Sequence, residues 1–235
     1  MRVAVLYTGG KDSHYATLKA LDQGHDVVCL ITAVAKREDS YMFHTVNIRW
    51  SLLHGEAMGI PQHLVEVSGE KEREVEELAQ HMEGLVRECR LEGLVTGAVA
   101  SVYQKSRVDK VAKRLGLIHM APLWGYNQEN LLREEAENMR FLITAAMAMG
   151  LGPQHLGRVV TPDTAEEIIA LSGRYGFSPV GEGGEFETFV VESPLMALDI
   201  VSGEIHWHPG GWGYYEIKEA KIREQRSPKI LKGHP

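Results

Sequence analysis

Between Val3 and Met120, short apolar runs alternate with stretches of helical periodicity, and few folds accommodate that order. Residues 3–7 form a β-rich run closed by a glycine pair, and Tyr15, Leu18 and Leu21 then recur at helical spacing over residues 12–21. After Gly24, residues 27–33 are continuously apolar, the pattern of a parallel strand covered on both faces. The alternation continues with helices over 47–58, 71–89 and 102–115 and strands over 63–67, 94–96 and 117–120. In the 71–89 helix, Val75, Leu78, Met82, Leu85, Val86 and Cys89 make one stripe. The expected fold class is α/β, a doubly wound, mostly parallel Rossmann-like sheet.

Beyond Pro122-Leu-Trp124 the texture changes. A helix is expected over 129–149, ended by the breaker cluster Gly150-Leu-Gly-Pro153, and another over 165–172, started by Asp163 or Thr164 with a Glu three residues on in either frame. Strands are expected at 186–191, 198–201 and 214–217, with Ser202-Gly203 as a hairpin turn between alternating runs 197–201 and 204–207. The basic stretch from Lys218 reads as a solvated tail. Two domains follow as an expectation, 1–125 and a smaller α+β domain at 126–235.

With 235 residues, 44% of them hydrophobic, the chain can bury a substantial core. A net charge of -7 and a pI near 5.9 argue against a broad basic face, making nucleic acid an unlikely partner. Cys29 and Cys89 stand far apart and make neither a disulfide framework nor a zinc-type pair. The opening apolar run is too short for a signal peptide, and no stretch reaches the ~18 apolar residues of a membrane span. The expectation is a soluble, cytoplasmic protein without a membrane partner.

The segment Thr8-Gly9-Gly10-Lys11-Asp12-Ser13 joins the first strand to the first helix, where backbone N–H groups and the helix dipole attract anions. Two glycines allow close backbone approach to a phosphate, Lys11 adds a point charge, Thr8 and Ser13 supply hydroxyls, and Asp12 is placed to hold Mg²⁺. A tight turn with a capping Asp is the competing reading of the same residues. A Walker A loop is excluded, because it needs glycine five positions before Gly10, where Val5 stands.

Residues 8–13 resemble the S-G-G-x-D-S pyrophosphate loop of the N-type ATP pyrophosphatases, with Thr8 for the first Ser. Further matches are Ser40-Tyr-Met-Phe-His-Thr45, Gly97-Ala-Val-Ala-Ser101 with Tyr103-Gln104 and Arg107, Pro122-Leu-Trp124, and Gly181-Glu-Gly-Gly-Glu-Phe-Glu-Thr188. Together, over roughly residues 1 to 200, they are similar to the diphthine-ammonia ligase family. The resemblance implies a sheet of the HUP type and a two-step reaction. ATP adenylates the carboxylate of diphthine, a modified histidine on translation elongation factor 2, and ammonia displaces AMP. It further implies ATP, Mg²⁺, free ammonium and the factor as ligands, and is compatible with a homodimer.

By position, Ile31, Thr32 and Ala33 at the end of the second strand offer backbone groups to adenine, while Ile31 and Ala33 also suit the core. Gly97 leaves room for ribose or phosphate; Ser101, Gln104 and Arg107 occupy the first turns of the next helix, the last two on one face. Matching the family motif, Arg107 is expected to stabilise charge on the α-phosphate, against the alternative of pairing with a surface carboxylate. His44 contacts phosphate, acts on the amine or is structural. Glu182 and Glu185 are expected to draw the fixed trimethylammonium cation of diphthine, with Trp124 or Tyr126 as an aromatic wall or as plain core. His206 and His208 lack an evident third ligand and read as a solvated edge. Two rivals stand beside the ligase: an adenylating tRNA-modification enzyme and an ATP-binding sensor.

Overall fold

The computed structural model describes residues 1–35, 47–70 and 73–223. Strands β1 (Arg2–Leu6), β2 (Asp26–Ala35), β3 (Gln62–Val67), β4 (Gly93–Val95) and β5 (Ile118–Met120) form one sheet in the order β3-β2-β1-β4-β5. Every pairing in it is parallel. The connecting helices are α1 (Lys11–Asp22), α2 (Leu52–Met58, entered through a 3₁₀ turn at Ile48–Ser51), α3 (Arg73–Glu88) and α4 (Val102–Leu115). The alternation in the sequence is thus realised as a Rossmann-like α/β sheet, whose strand order reverses between β1 and β4. Crevices for ligands open at the carboxyl edge of such a reversal.

The rest of the chain contributes α5 (Gln128–Asn138), β6 (Arg140–Ala146), β7 (Val159–Val160), α6 (Pro162–Tyr175), β8 (Phe186–Glu192), β9 (Leu198–His208) and β10 (Trp212–Ile222). Its strands form a second, antiparallel sheet, with β6 between β8 on one edge and β7 and β10 on the other.

Four expectations need correction here. The helix over 129–149 stops at Asn138, and residues 140–146 become β6, the strand that organises the second sheet. Residues 141–146 are all buried, and a short continuous apolar run carries no period to separate strand from helix. Helix α6 begins at Pro162 and is capped by Thr161, whose hydroxyl accepts the Thr164 N–H, rather than by Asp163 or Thr164. Ser202-Gly203 lies inside β9; the turn is at Pro209-Gly-Gly211, with Gly211 at φ +79. Gly203 is needed because the ring of Tyr215 on β10 crosses directly over it. The tail assigned from Lys218 is strand as far as Ile222, and residues 224–235 lie outside the described residues.

Two cores flank the parallel sheet. On one face Ala4, Cys29, Ile31 and Leu94 pack with Met82 of α3 and Val111 of α4. On the other, Val3, Val5, Tyr15 and Ala16 join Leu131, Phe141, Ile143 and Val190, so α1 is enclosed between the first sheet and the second. Phe141 is fully buried at that junction. Phe141→Ala is expected to cost about 3–5 kcal/mol, the scale for deleting a buried aromatic ring, measured by urea denaturation.

Candidate functional site

A cavity of about 890 Å³ lies at the carboxyl edge of the parallel sheet. Thr8, Gly10, Asp12 and Ser13 form one wall, Ala33 comes from the last residues of β2 and Gly97 follows β4, Gln104 and Arg107 come from α4, and residues 180–184 and 186–189 close the opposite side. The two segments most prominent in the sequence, 8–13 and 181–188, therefore meet across one space.

The first loop is fastened from behind. Gly9, at φ +85, gives its carbonyl to the Val190 N–H at 2.9 Å, and the Lys11 N–H donates to Thr188 Oγ1 at 3.1 Å. Thr8 Oγ1 accepts the Gly10 N–H at 3.3 Å and lies 3.2 Å from Ser13 Oγ, which donates to the Gly10 carbonyl at 3.1 Å. The Asp12 and Ser13 N–H groups find no acceptor among the described residues. Gly97 keeps that end of α1 uncovered, since a Cβ there would sit 2.6 Å from both Asp12 C and Ser13 N. Its role in this structure is close backbone approach. Gly97→Ala is therefore expected to displace the start of α1 and to destabilise the fold by about 1–3 kcal/mol, the scale of overpacking, measured by urea denaturation.

Lys11 does not reach the cavity. Its side chain is 1% exposed, and Nζ lies 2.6 Å from Asp12 Oδ1 and 3.1 Å from Glu135 Oε2 of α5. Burial opposes its charge, but the two carboxylates outweigh that and raise its pKa. Burial also pushes Glu135 well above the usual carboxylate range, with Lys11 opposing. The expectation of a point charge on phosphate gives way to a lysine that orients Asp12, whose carboxylate faces the cavity.

Ile31 and Thr32 are buried within the sheet, Ile31 giving its carbonyl to the Tyr7 N–H, while Ala33 lies on the cavity wall beyond the end of β1. Ser101 caps α4, its hydroxyl accepting the Gln104 N–H at 3.2 Å. Arg107 lines the cavity and also has the carboxylate partner of its competing reading: its guanidinium lies 2.8 Å from Glu74 Oε1 and 4.8 Å from the Tyr103 ring centre. His44 lies outside the described residues.

Glu182 Oε1 accepts the Ala100 and Ser101 N–H groups at 3.0 and 2.7 Å, joining the second loop to the start of α4. Glu185 points away from the cavity and braces its own loop, accepting from Ser178 N–H at 3.1 Å and Gly183 N–H at 2.7 Å. Trp124 and Tyr126 are not on the wall; each ring already faces a lysine of this chain, Lys105 at 5.6 Å and Lys19 at 5.9 Å. His206 lies 3.2 Å from Glu216, and Lys218 sits 2.7 Å from the same carboxylate; His208 stacks on Trp212 at 3.7 Å.

Sequence reasoning missed two features. Glu135 is one, although its signal was present: it follows Leu131 by four residues and so falls on the apolar stripe of α5. The other is a polar chain beneath the first loop. Tyr7 Oη lies 2.7 Å from His14 Nδ1 and 2.8 Å from His54 Nδ1, and His14 Nε2 is 2.8 Å from Ser193 Oγ. Burial lowers both histidines to about 3, with His14 adding to the effect on His54. They stay neutral in the folded chain while the unfolded chain takes up protons below about 6.5. Folding stability is accordingly expected to fall as pH drops from about 6.5 towards 3, and His54→Phe to remove about one proton from that dependence, read by denaturation at pH 7 and 5.

A parallel sheet reversing at β1/β4, with a glycine-rich strand-to-helix loop at the reversal, defines a Rossmann-like α/β protein. Models described as diphthamide synthase N-terminal domain and diphthamide synthase C-terminal domain match residues 1–119 and 127–222, and the chain belongs to the diphthamide synthase family. It is 37% identical to a mouse protein named diphthine–ammonia ligase, over 86% of this chain and 82% of that one. The human protein of that name is 38% identical over 88% and 86%, and the bovine one 37% identical over 97% and 95%. No helix among the described residues is long and apolar enough to cross a membrane.

Proposed function

We propose that this chain is an ATP-dependent ligase that converts the carboxylate of diphthine on translation elongation factor 2 to its amide, releasing AMP and pyrophosphate. The observation that carries the reading is the meeting of residues 8–13 and 181–188 on one cavity, in a chain whose relatives are named for this reaction.

The wall formed by Thr8, Gly10, Asp12 and Ser13 suits a triphosphate, because hydroxyls and two spare backbone N–H groups converge there at a helix start. Ala33 borders the place for adenine, and Gly97, Ser101 and Gln104 the place for ribose and α-phosphate. Asp12 fits a divalent cation: it lines the cavity, and Lys11 engages its Oδ1 from behind. Mg²⁺ held there would neutralise phosphate charge as pyrophosphate departs. Arg107 would meet charge on the α-phosphate, after exchanging or sharing Glu74.

In the first step an acceptor carboxylate oxygen bonds to the α-phosphorus and the bond to pyrophosphate breaks. In the second, ammonia attacks the acyl carbon, AMP leaves with the bonding electron pair, and a proton is lost from nitrogen. Glu182 would meet the acceptor's fixed cation, and Glu185 serves it indirectly by holding the loop. In this division of labour residues 1–125 hold the nucleotide and 126–235 present the acceptor side, with free ammonium as nitrogen source in the cytoplasm.

The test is AMP release from ATP, Mg²⁺ and ammonium, with and without diphthine-bearing factor, alongside the mass of that factor. AMP formation that depends on the factor, with acid converted to amide, is expected. Release triggered by tRNA instead would overturn the acceptor, and ATP binding without AMP release would overturn the enzyme. Asp12→Asn is expected to lower turnover on the order of a hundredfold, the scale for losing one group that stabilises transition-state charge.

A further inference from the structure

We propose that the mouth of the cavity is a docking surface for a folded protein, formed by Val102, Tyr103 and Met149 around the loop that carries Glu182. It rests on the ligase reading and names how that site engages its acceptor.

Val102 is 70% exposed, Tyr103 53% and Met149 76%, and none of them packs against either core. Folding gains little from Val102 and Met149 placed this way, and Tyr103 is held on its inner side by Arg107. Val102 and Met149 each follow residues bonded to one short loop. Glu182 accepts the N–H groups of Ala100 and Ser101, the residues just before Val102. The Glu185 carbonyl accepts those of Met147 and Ala148, the residues just before Met149, at 2.8 and 3.1 Å. Residues 181–185 thus stand between two apolar shoulders, and Tyr103 spans shoulder and cavity, being half-exposed and also on the wall.

The occupant follows from what a small acceptor would leave uncovered. A free amino acid could fill the cavity and meet Glu182, but it would bury neither Val102 nor Met149. Apolar contacts beside a desolvated charged centre are the arrangement of a protein interface core. The partner that fits is a folded protein whose cation-bearing side chain projects from an apolar surface, the cation entering between the shoulders towards the carboxylates of Glu182 and Glu187 on the wall.

The test compares the unaltered chain with the double variant Val102→Asp, Met149→Asp. Aspartate at the first residue of α4 suits the helix dipole, so α4 is retained. The milder pair Val102→Thr, Met149→Gln serves if the first loses its thermal transition. With the whole diphthine-bearing factor, KM for the factor is expected to rise about tenfold or more, the effect of removing interface anchors, while ATP affinity and kcat at saturating factor stay unchanged. With a short peptide carrying the same modified histidine, the variant and the unaltered chain are expected to turn over alike. An unchanged KM for the factor in a folded variant overturns the docking surface and leaves the ligase reading intact. An equal loss on factor and peptide does so too. Failure of the unaltered chain to bind or amidate the factor overturns both.

Discussion

A lysine ammonium enclosed in protein has to be matched by negative charge, and much of this structure is arranged around that requirement at Lys11. One of its partners is its neighbour Asp12, and the other is Glu135, contributed by a helix of the second sheet's half. Removing either group would leave the buried ammonium short of a hydrogen-bond partner, so α5 is bound to the start of α1 by this polar contact as well as by packing. Asp12 is thereby presented to the cavity in one orientation, and the loop is clamped from its other side by β8 through Gly9 and Thr188.

That clamping gives a physical account of why the site is assembled from two sheets. The parallel sheet provides the reversal in strand order and the start of α1, where spare N–H groups collect. The antiparallel sheet provides the backing strand β8 and the glycine-rich loop that closes the far wall. Glu182 completes the arrangement by accepting two backbone N–H groups at the start of α4, so the separation between the two walls of the cavity is set by hydrogen bonds and not by packing alone.

The parallel sheet was legible in the sequence because each of its strands is either continuously apolar or flanked by strong helical periodicity. The first cavity-lining segment was legible because glycine, hydroxyl and carboxylate residues concentrate where a strand gives way to a helix, and the second because glycines and carboxylates crowd together just before β8. Strand β6 was not, since residues 140–146 have neither a period of two nor one of 3.6, and their extended form depends on β7, β8 and β10, which are distant in sequence. The same limit explains Lys11, Glu185 and the aromatic wall. Residue type fixes what a side chain can do, but the direction it takes depends on partners such as Glu135, Ser178 and Lys105, which local pattern does not reveal.

The enclosure of α1 between the two sheets bears on how the molecule comes apart. Val3, Val5, Tyr15 and Ala16 share one core with Leu131, Phe141 and Val190, so removing either half opens that core, and the first half keeps only the one on the other face of its sheet, around Ala4, Ile31 and Met82. A fragment ending before α5 would bare an apolar face of its central strand and strip Lys11 of Glu135 at once. The two halves therefore melt together: the unit of folding cooperativity is larger than the unit of sheet, and calorimetry of the whole chain would trace one transition where the topology alone suggests two.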